Sequence, residues 1–333
     1  MGEFAASAGI GTLPTPVDFL PTLGDALGVP DLHVKRDDRA GEHYGGNKIR
    51  KLDYLLGEAL LEGCTSVVTS GGIGSNHVLA TATYARDLGL EPRAVQFPQA
   101  VTDHVVQNLR ALAGLDPTLR LISSEMLLPA ALVRERLAAR LDGDRYYIPT
   151  GGSSPVGTLG YVEAGRELAG QIAQGDLPEP DVVVVPASSG GTLAGLRVGL
   201  DLADVSVRLV GVRVVPWFVT NRWTVARLAN QTAALLDASP GPYSRADIDL
   251  RGGYLGEGYA EPTAAGERVT DLAADAGLVL DPTYTAKTVA AIAGEFDDET
   301  VLYWHTLSDS RPPQLSVEAA VERLPAGYTR FLA

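Results

Sequence analysis

The chain is poor in the features that would point away from an ordinary soluble globular protein. Cys64 is its only cysteine in 333 residues, so an intrachain disulfide is impossible. That thiol precedes the apolar run Thr65-Ser66-Val67-Val68, where a buried, inert sulfhydryl is expected. Long hydrophobic runs are also missing; stretches such as Val182 to Pro186 are far too short to cross a bilayer, so no membrane association is expected. Positive charge is scarce, with 27 basic against 41 acidic residues and a net charge of −14. A nucleic-acid backbone would be repelled by that balance, which bears on solubility more than on any site. The five histidines, His33, His43, His77, His104 and His305, show no spacing of the H-E-x-x-H kind, so no metal is expected. Met1-Gly2-Glu3-Phe4-Ala5-Ala6-Ser7 has neither a basic n-region nor an apolar h-region, and the cytoplasm is the expected location.

What is present is an alternation of short apolar runs and helical patterns. Strands are predicted at Ser66 to Ser70, Arg93 to Gln96 and Leu119 to Ile122, with helices at His77 to Leu88, Thr102 to Ala113 and Pro129 to Leu141. A second series reads helix Leu159 to Gln174, strand Asp181 to Pro186, helix Thr192 to Leu202 and strand Arg208 to Val215. A helix near Val225 to Leu236 and a last strand at Val301 to His305 follow. Such βα order predicts an α/β fold of open parallel sheets covered by helices. Pro149-Thr150-Gly151-Gly152-Ser153-Ser154-Pro155 separates the two series, and a second boundary falls near Asn47. The segment Ala238 to Pro262, rich in Gly, Asp and Tyr, reads as a site-lining loop.

Four segments carry chemistry. Gly45-Gly46-Asn47-Lys48-Ile49-Arg50-Lys51-Leu52 sets a lysine beside flexible backbone and an amide at a helix start, where a reactive lysine can form a Schiff base with an aldehyde cofactor. In Ser70-Gly71-Gly72-Ile73-Gly74-Ser75-Asn76-His77 a helix N-terminus offers N–H groups to a carboxylate. Ser75 and Asn76 add donors there, and His77 can donate or relay a proton; capping by Ser75 or Asn76 is a compatible role. Val185-Pro186-Ala187-Ser188-Ser189-Gly190-Gly191-Thr192-Leu193-Ala194-Gly195 runs from a β-branched strand into small residues and a helix, an arrangement that cradles phosphate on backbone amides. It is neither the dinucleotide fingerprint nor a P-loop. In Asp281-Pro282-Thr283-Tyr284-Thr285-Ala286-Lys287, Thr285 can cap a helix, while Tyr284 is either a buried aromatic or an acid/base group whose surroundings lower its pKa.

Together, from about Leu13 to about His305, these segments resemble fold-type II pyridoxal-phosphate enzymes, specifically the family of 1-aminocyclopropane-1-carboxylate deaminase and D-cysteine desulfhydrase. Gly-Gly-Asn-Lys-x-Arg-Lys-Leu is the most specific of the shared motifs. The resemblance implies two tryptophan-synthase-β-like domains, a large one of residues 1–49 and 151–333 and a small one of 50–150, with pyridoxal 5'-phosphate in the cleft between them. It implies that Lys48 carries the cofactor as a Schiff base and that Lys51 reaches its phosphate. Ser188, Ser189, Gly190, Gly191 and Thr192 align with a phosphate loop written Gly-Ser-Gly-Gly-Thr in the family, so Ser188 replaces a glycine. Asn76 would lie against the pyridine face or its phenolic oxygen, and Ser75 and His77, with Asn76, would hold the substrate carboxylate. Tyr284 matches the catalytic tyrosine, and Tyr259 a second tyrosine lining the substrate site. A homodimer is also implied.

Two positions select within the family. Thr285 stands where the cyclopropane deaminases carry a glutamate facing the pyridine nitrogen, and His77 where they carry glutamine. Both favour the desulfhydrases, in which a good leaving group departs from Cβ. The implied activity is α,β-elimination on a small amino acid, D-cysteine first and sulfonated or chlorinated alanines next, giving a 2-oxo acid and ammonia. The α-proton would pass to Lys48, or to Tyr284 or Ser75 on the other face. The alternatives are cyclopropane deamination, β-replacement, and a non-catalytic protein that binds the cofactor. One departure stands out: His305-Thr306-Leu307-Ser308 replaces the family's His-Thr-Gly-Gly, adding bulk where backbone approaches the site.

Overall fold

The computed structural model describes residues 6–236, 240–259 and 261–332. Part of the N-terminal stretch read for a secretory signal, and part of the loop predicted from Ala238, lie outside the described residues. The chain opens with β1 (Val17–Phe19), α1 (Pro21–Leu27), β2 (Leu32–Arg36) and α2 (Asn47–Leu61). It continues with β3 (Ser66–Gly72), α3 (Asn76–Asp87), β4 (Glu91–Phe97), α4 (Asp103–Gly114), β5 (Thr118–Leu121), α5 (Leu128–Asp142) and β6 (Arg145–Tyr147). Then come α6 (Pro155–Gln174), β7 (Val182–Ala187), α7 (Gly191–Leu202), β8 (Arg208–Arg213), α8 (Arg222–Ala233) and β9 (Asp249–Arg251). The last elements are α9 (Ala264–Asp275), α10 (Thr285–Glu295), β10 (Val301–His305) and α11 (Val317–Arg323).

Two compact units result. The larger comprises Gly11–Lys51 and Ser153–Asp309, and its sheet runs β1-β2-β10-β7-β8-β9. Only β1 is antiparallel, pairing Val17 with Lys35; β10 lies parallel between β2 and β7, with Val301 opposite Leu32 and Val182. A sheet covered on both faces needs strands apolar on both faces, and Val182, Val183, Val184 and Val185 are all fully buried. Each such side chain contributes roughly 1.5–3 kcal/mol relative to exposure. One face packs Val34, Val184, Val212 and Tyr303 with Val289 of α10 and Val269 of α9. Among the helices, Gly165 of α6 meets the backbone of Gly199 in α7, and Gly195 of α7 meets Thr158 and Tyr161 of α6. Side chains larger than hydrogen at these glycines would force the two helices apart.

The smaller unit contains residues 6–10, 52–152 and 310–332. Its sheet, ordered β5-β4-β3-β6, is parallel throughout. Residues 310–332, placed in the large domain by the sequence boundary, pack here. Ala320 and Leu324 of α11, with Tyr328 and Phe331, share a core with Val105 and Leu109 of α4. Their apolar side chains cover a helix face that would otherwise be wet. Cys64 is buried with its thiol pKa pushed up by desolvation, as its apolar surroundings suggested. No helix among the described residues is long and apolar enough to cross a membrane.

Candidate active site

The turn before α2 is built by close backbone approach. Gly46 has φ +82°, and a Cβ there would come within 2.6 Å of the Thr306 carbonyl, so glycine is required. The Gly46 amide donates to the Asp37 carbonyl at 2.7 Å and the Asn47 amide to the Thr306 carbonyl at 3.1 Å. Ser308, one of the two bulkier residues of the C-terminal departure, accepts from the Gly45 amide on its Oγ at 2.6 Å. Its side chain is spent on the glycine turn that presents Lys48.

Lys48 donates to Asn47 Oδ1 at 2.9 Å. Desolvation pulls its pKa down to about 8, against the opposing pull of Asp281. One helical turn on, Lys51 is buried and its Nζ donates to Ser153 Oγ at 3.2 Å. Burial, then the neighbouring Lys48 charge, hold its ammonium well below the ordinary lysine value. Two desolvated amines side by side form a site that favours an anion.

That anion has a cradle in the same unit. Gly190, at φ +82°, is the N-cap of α7 and leaves the helix without a side-chain cap, so the first amides of α7 are open to a ligand. A Cβ at Gly191 would stand 2.5 Å from Ser153 Oγ and 3.1 Å from Lys51 Nζ. Ser153 and Ser189 hydroxyls are 2.6 Å apart, and Asn47 Nδ2 donates to Thr192 Oγ1 at 3.3 Å. Ser188 contributes its backbone, its carbonyl accepting from the Thr220 hydroxyl. Ser153 was read only as part of a domain boundary; its role becomes visible once α2 and α7 are seen to meet through it.

Thr285 is not the cap of α10, because it already lies inside the helix. Asp281 caps the turn instead, accepting from the backbone amides of Thr283 and Tyr284 at 2.9 and 2.7 Å. An aspartate before proline forms such turns readily, so the sequence did carry the signal. The Thr285 hydroxyl accepts from the Asp281 amide at 2.6 Å and donates to the Asp281 carboxylate at 2.8 Å. Tyr284 hydrogen-bonds the Tyr259 hydroxyl, with ring centroids 6.1 Å apart. Its phenol pKa is raised well above 10 by burial, by Tyr259 and by the Asp281 charge. The alternative of an acid/base group with a lowered pKa therefore gives way to a neutral phenol, which keeps its proton to donate and accepts through its lone pairs. His305, buried at the end of β10, is held neutral with a pKa lowered to about 4 by desolvation.

The second set of predicted residues stands at the start of α3 in the smaller unit. Ser75 is the N-cap, its Oγ accepting from the Val78 amide at 3.4 Å, so the capping role is present. Asn76 Oδ1 accepts from His104 Nε2 and from Asn108 Nδ2, both at 2.9 Å. Arg311 Nη2 lies 3.2 Å from His104 Nδ1. A guanidinium only donates, so Nδ1 is the acceptor and the His104 proton sits on Nε2. Asn76 is thereby fixed with its carbonyl turned toward His104 and its amide NH2 turned the other way. Neither His104 nor Arg311 stood out in the sequence, since each lies far along the chain from Asn76. His77 is buried with Nε2 2.9 Å from Thr69 Oγ1.

A family model described as pyridoxal-phosphate dependent enzyme matches residues 10–306. A D-cysteine desulfhydrase of Salmonella choleraesuis (strain SC-B67) is 37% identical over 306 residues, covering 88% of this chain and 91% of that protein. One from Salmonella newport (strain SL254) gives the same figures. A solved structure described as an ACC deaminase homologue superposes with a TM-score of 0.78 at 31% identity, covering 97% of each chain. Threonine deaminase isoform 2 from Solanum lycopersicum, at 19% identity and a TM-score of 0.61 over 90% of this chain and 80% of its own, shares the fold. The residues present fit the cofactor these matches imply. Lys48 is an amine partly unprotonated at neutral pH, and glycine at 191 keeps the Ser153 hydroxyl, the Lys51 amine and the first α7 amides, which a Cβ would crowd, clear as donors for a phosphate.

Proposed function

Since this chain belongs to the pyridoxal-phosphate-dependent enzyme family, with pyridoxal 5'-phosphate as its cofactor, we propose that it eliminates a leaving group from Cβ of a small amino acid, D-cysteine foremost. The observation that carries the reading is a lysine of pKa about 8 beside an anion cradle built on Lys51, Ser153 and the glycine-led start of α7. Lys48 Nζ would join the cofactor's aldehyde carbon. Lys51, Ser189, Gly190, Gly191 and Thr192, with Ser188 through its backbone, would hold the phosphate. When bound, the cofactor supplies a sink for the electron pair left on Cα as its proton departs.

The first amides of α3, the Ser75 hydroxyl and the Asn76 amide would bind the substrate carboxylate, with His77 behind them on Thr69. The Lys48 amine, its pKa lowered to about 8 by burial, would serve as the base for the α-proton. Tyr284, kept neutral by burial, would hand its proton to the departing sulfur and recover one through Tyr259. Water then hydrolyses the released enamine to pyruvate and ammonia. Thr285, which offers no carboxylate at the pyridine nitrogen, fits elimination better than cyclopropane opening. Exposed Trp217, Phe218 and Trp223 supply an aromatic patch suited to self-association as a homodimer.

The test is release of the 2-oxo acid, pyruvate from D-cysteine or L-cysteine and 2-oxobutanoate from 1-aminocyclopropane-1-carboxylate, for the wild type and Lys48→Ala. Turnover of D-cysteine by the wild type and its loss in the variant are expected. Turnover by the variant, or by the cyclopropane substrate alone, overturns the reading.

A further inference from the structure

A cavity of about 370 Å³ in the smaller unit belongs to none of the machinery above. It is lined by Val68 of β3, Arg93, Ala94 and Val95 of β4, and Arg120 of β5, with Arg134, Glu135 and Ala138 of α5 and Arg145 of β6 among the rest. Four arginines and one acidic residue thus line the recess, in a chain whose acidic residues outnumber its basic ones by 41 to 27. Like charges gathered in a recess repel one another unless a counter-charge joins them. Glu135 is stretched between two of them, 3.3 Å from Arg120 and 3.4 Å from Arg145. Arg93 pairs with Glu91 at 3.1 Å through its terminal nitrogen, while its Nε is buried with no hydrogen-bond partner. Arg134 makes no ion pair among the described residues.

The cavity also interrupts the seam between α5 and its sheet. At the start of the helix that seam is apolar, with Ala131 and Leu128 against Val95, Phe97 and Ile122. Further along, α5 turns Val133 and Leu137 to solvent, at 67% and 57% exposure, and gives Arg134, Glu135 and Ala138 to the recess. Turning the Glu135 carboxylate inward, at 14% exposure, while exposing valine and leucine is the reverse of what packing alone selects. The floor of Val68, Ala94 and Val95 suits a short carbon skeleton, and the guanidinium forks suit paired anionic oxygens. The volume is in the range of small-molecule sites.

We propose that this pocket binds a small carbon-bodied metabolite carrying at least two negative charges, as a phosphate monoester or a polycarboxylate, and that the ligand closes the α5 seam. The test uses the enzyme loaded with its cofactor, titrated calorimetrically at physiological salt with glycerol 2-phosphate and, separately, citrate. No amino acid is present, so the result is independent of the elimination reading. Saturable binding at one site per chain is expected, weakened about ten-fold or more in Arg134→Gln and unchanged in Arg166→Gln, a surface charge elsewhere. Amide exchange across residues 128–141 should slow on binding. Tighter binding of the phosphate ester identifies a phosphorylated ligand, and of citrate a polycarboxylate. Arg134 lies exposed on a helix, so its variant keeps the fold. Absence of binding by both probes, or equal binding by both variants, overturns the proposal.

Discussion

At the scale of single residues, the site depends on where protons sit. Lys48 has its pKa lowered to about 8 from 10.5 by burial. Its folded value is below its unfolded one, so the folded chain holds fewer protons between those limits, and the stability cost of Lys48 is full below pH 8 and fades as pH rises through that window. Only the free amine attacks an aldehyde. Uptake of pyridoxal phosphate by the apoenzyme should therefore quicken about ten-fold per pH unit up to pH 8 and level off above it. Stopped-flow absorbance would show this; a rate still climbing steeply toward pH 10 would mean an unperturbed lysine. The sequence made Lys48 legible because a glycine pair and an amide stand beside it. The raised pKa of Tyr284 was not legible, because it arises first from burial and then from Tyr259, with Asp281 and Tyr44 adding to it, and burial, Tyr259 and Tyr44 are assembled only in the fold.

Among elements, the start of α7 matters most. Gly191→Ala would place a methyl 2.5 Å from Ser153 Oγ and 3.1 Å from Lys51 Nζ, in the space assigned to phosphate oxygens. Cofactor affinity should fall at least ten-fold, while the apoenzyme's melting temperature changes little, since α7 keeps all its own hydrogen bonds. A fluorescence titration with pyridoxal phosphate measures the first and a thermal scan the second. Elements with plain apolar periods were read well: β10 was placed at its observed bounds, and β7 and α7 within one residue. Missed were β1, β2, β6 and β9, along with α1, α9 and α11. Strand β2, Leu32-His33-Val34-Lys35-Arg36, reads as polar, yet every residue in it is buried. Lys35 is hidden in an ion pair with distant Glu167 and Arg36 in pairs with Asp18 and Asp38, and local pattern cannot reveal how those partners are brought together.

The whole large unit turns on one such group of charges. Arg50 donates to both oxygens of Asp37 at 2.8–3.0 Å and to both oxygens of Glu167 at 2.9 Å. Lys35 meets Glu167 at 2.5 Å, and the Tyr161 hydroxyl and Trp304 indole donate to Asp37 at 2.7 and 2.6 Å. Removing one member leaves buried charge unpaired. Arg50→Ala should cost about 3–5 kcal/mol, read from the urea unfolding midpoint; a loss under about 1 kcal/mol would mean that water replaces the guanidinium. This network orients the first turn of α2, the turn that carries Lys48 and Lys51. None of it was foreseen, since its members come from β2, α2, α6 and β10.

The place of β10 has a consequence for how the protein is made. Its partners β2 and β7 both leave the ribosome long before it does, and it must enter between them. Until His305 emerges, β2 and β7 keep unpaired edges, Asp37 lacks its indole partner, and Thr306 is not yet there to anchor the glycine turn. The smaller unit's four strands, all within residues 66–147, can pair while the rest is still being translated. The reactive lysine at the start of α2 is thus set in position by β10, the last of the described strands to be synthesised. A nascent chain therefore cannot complete the cofactor site early.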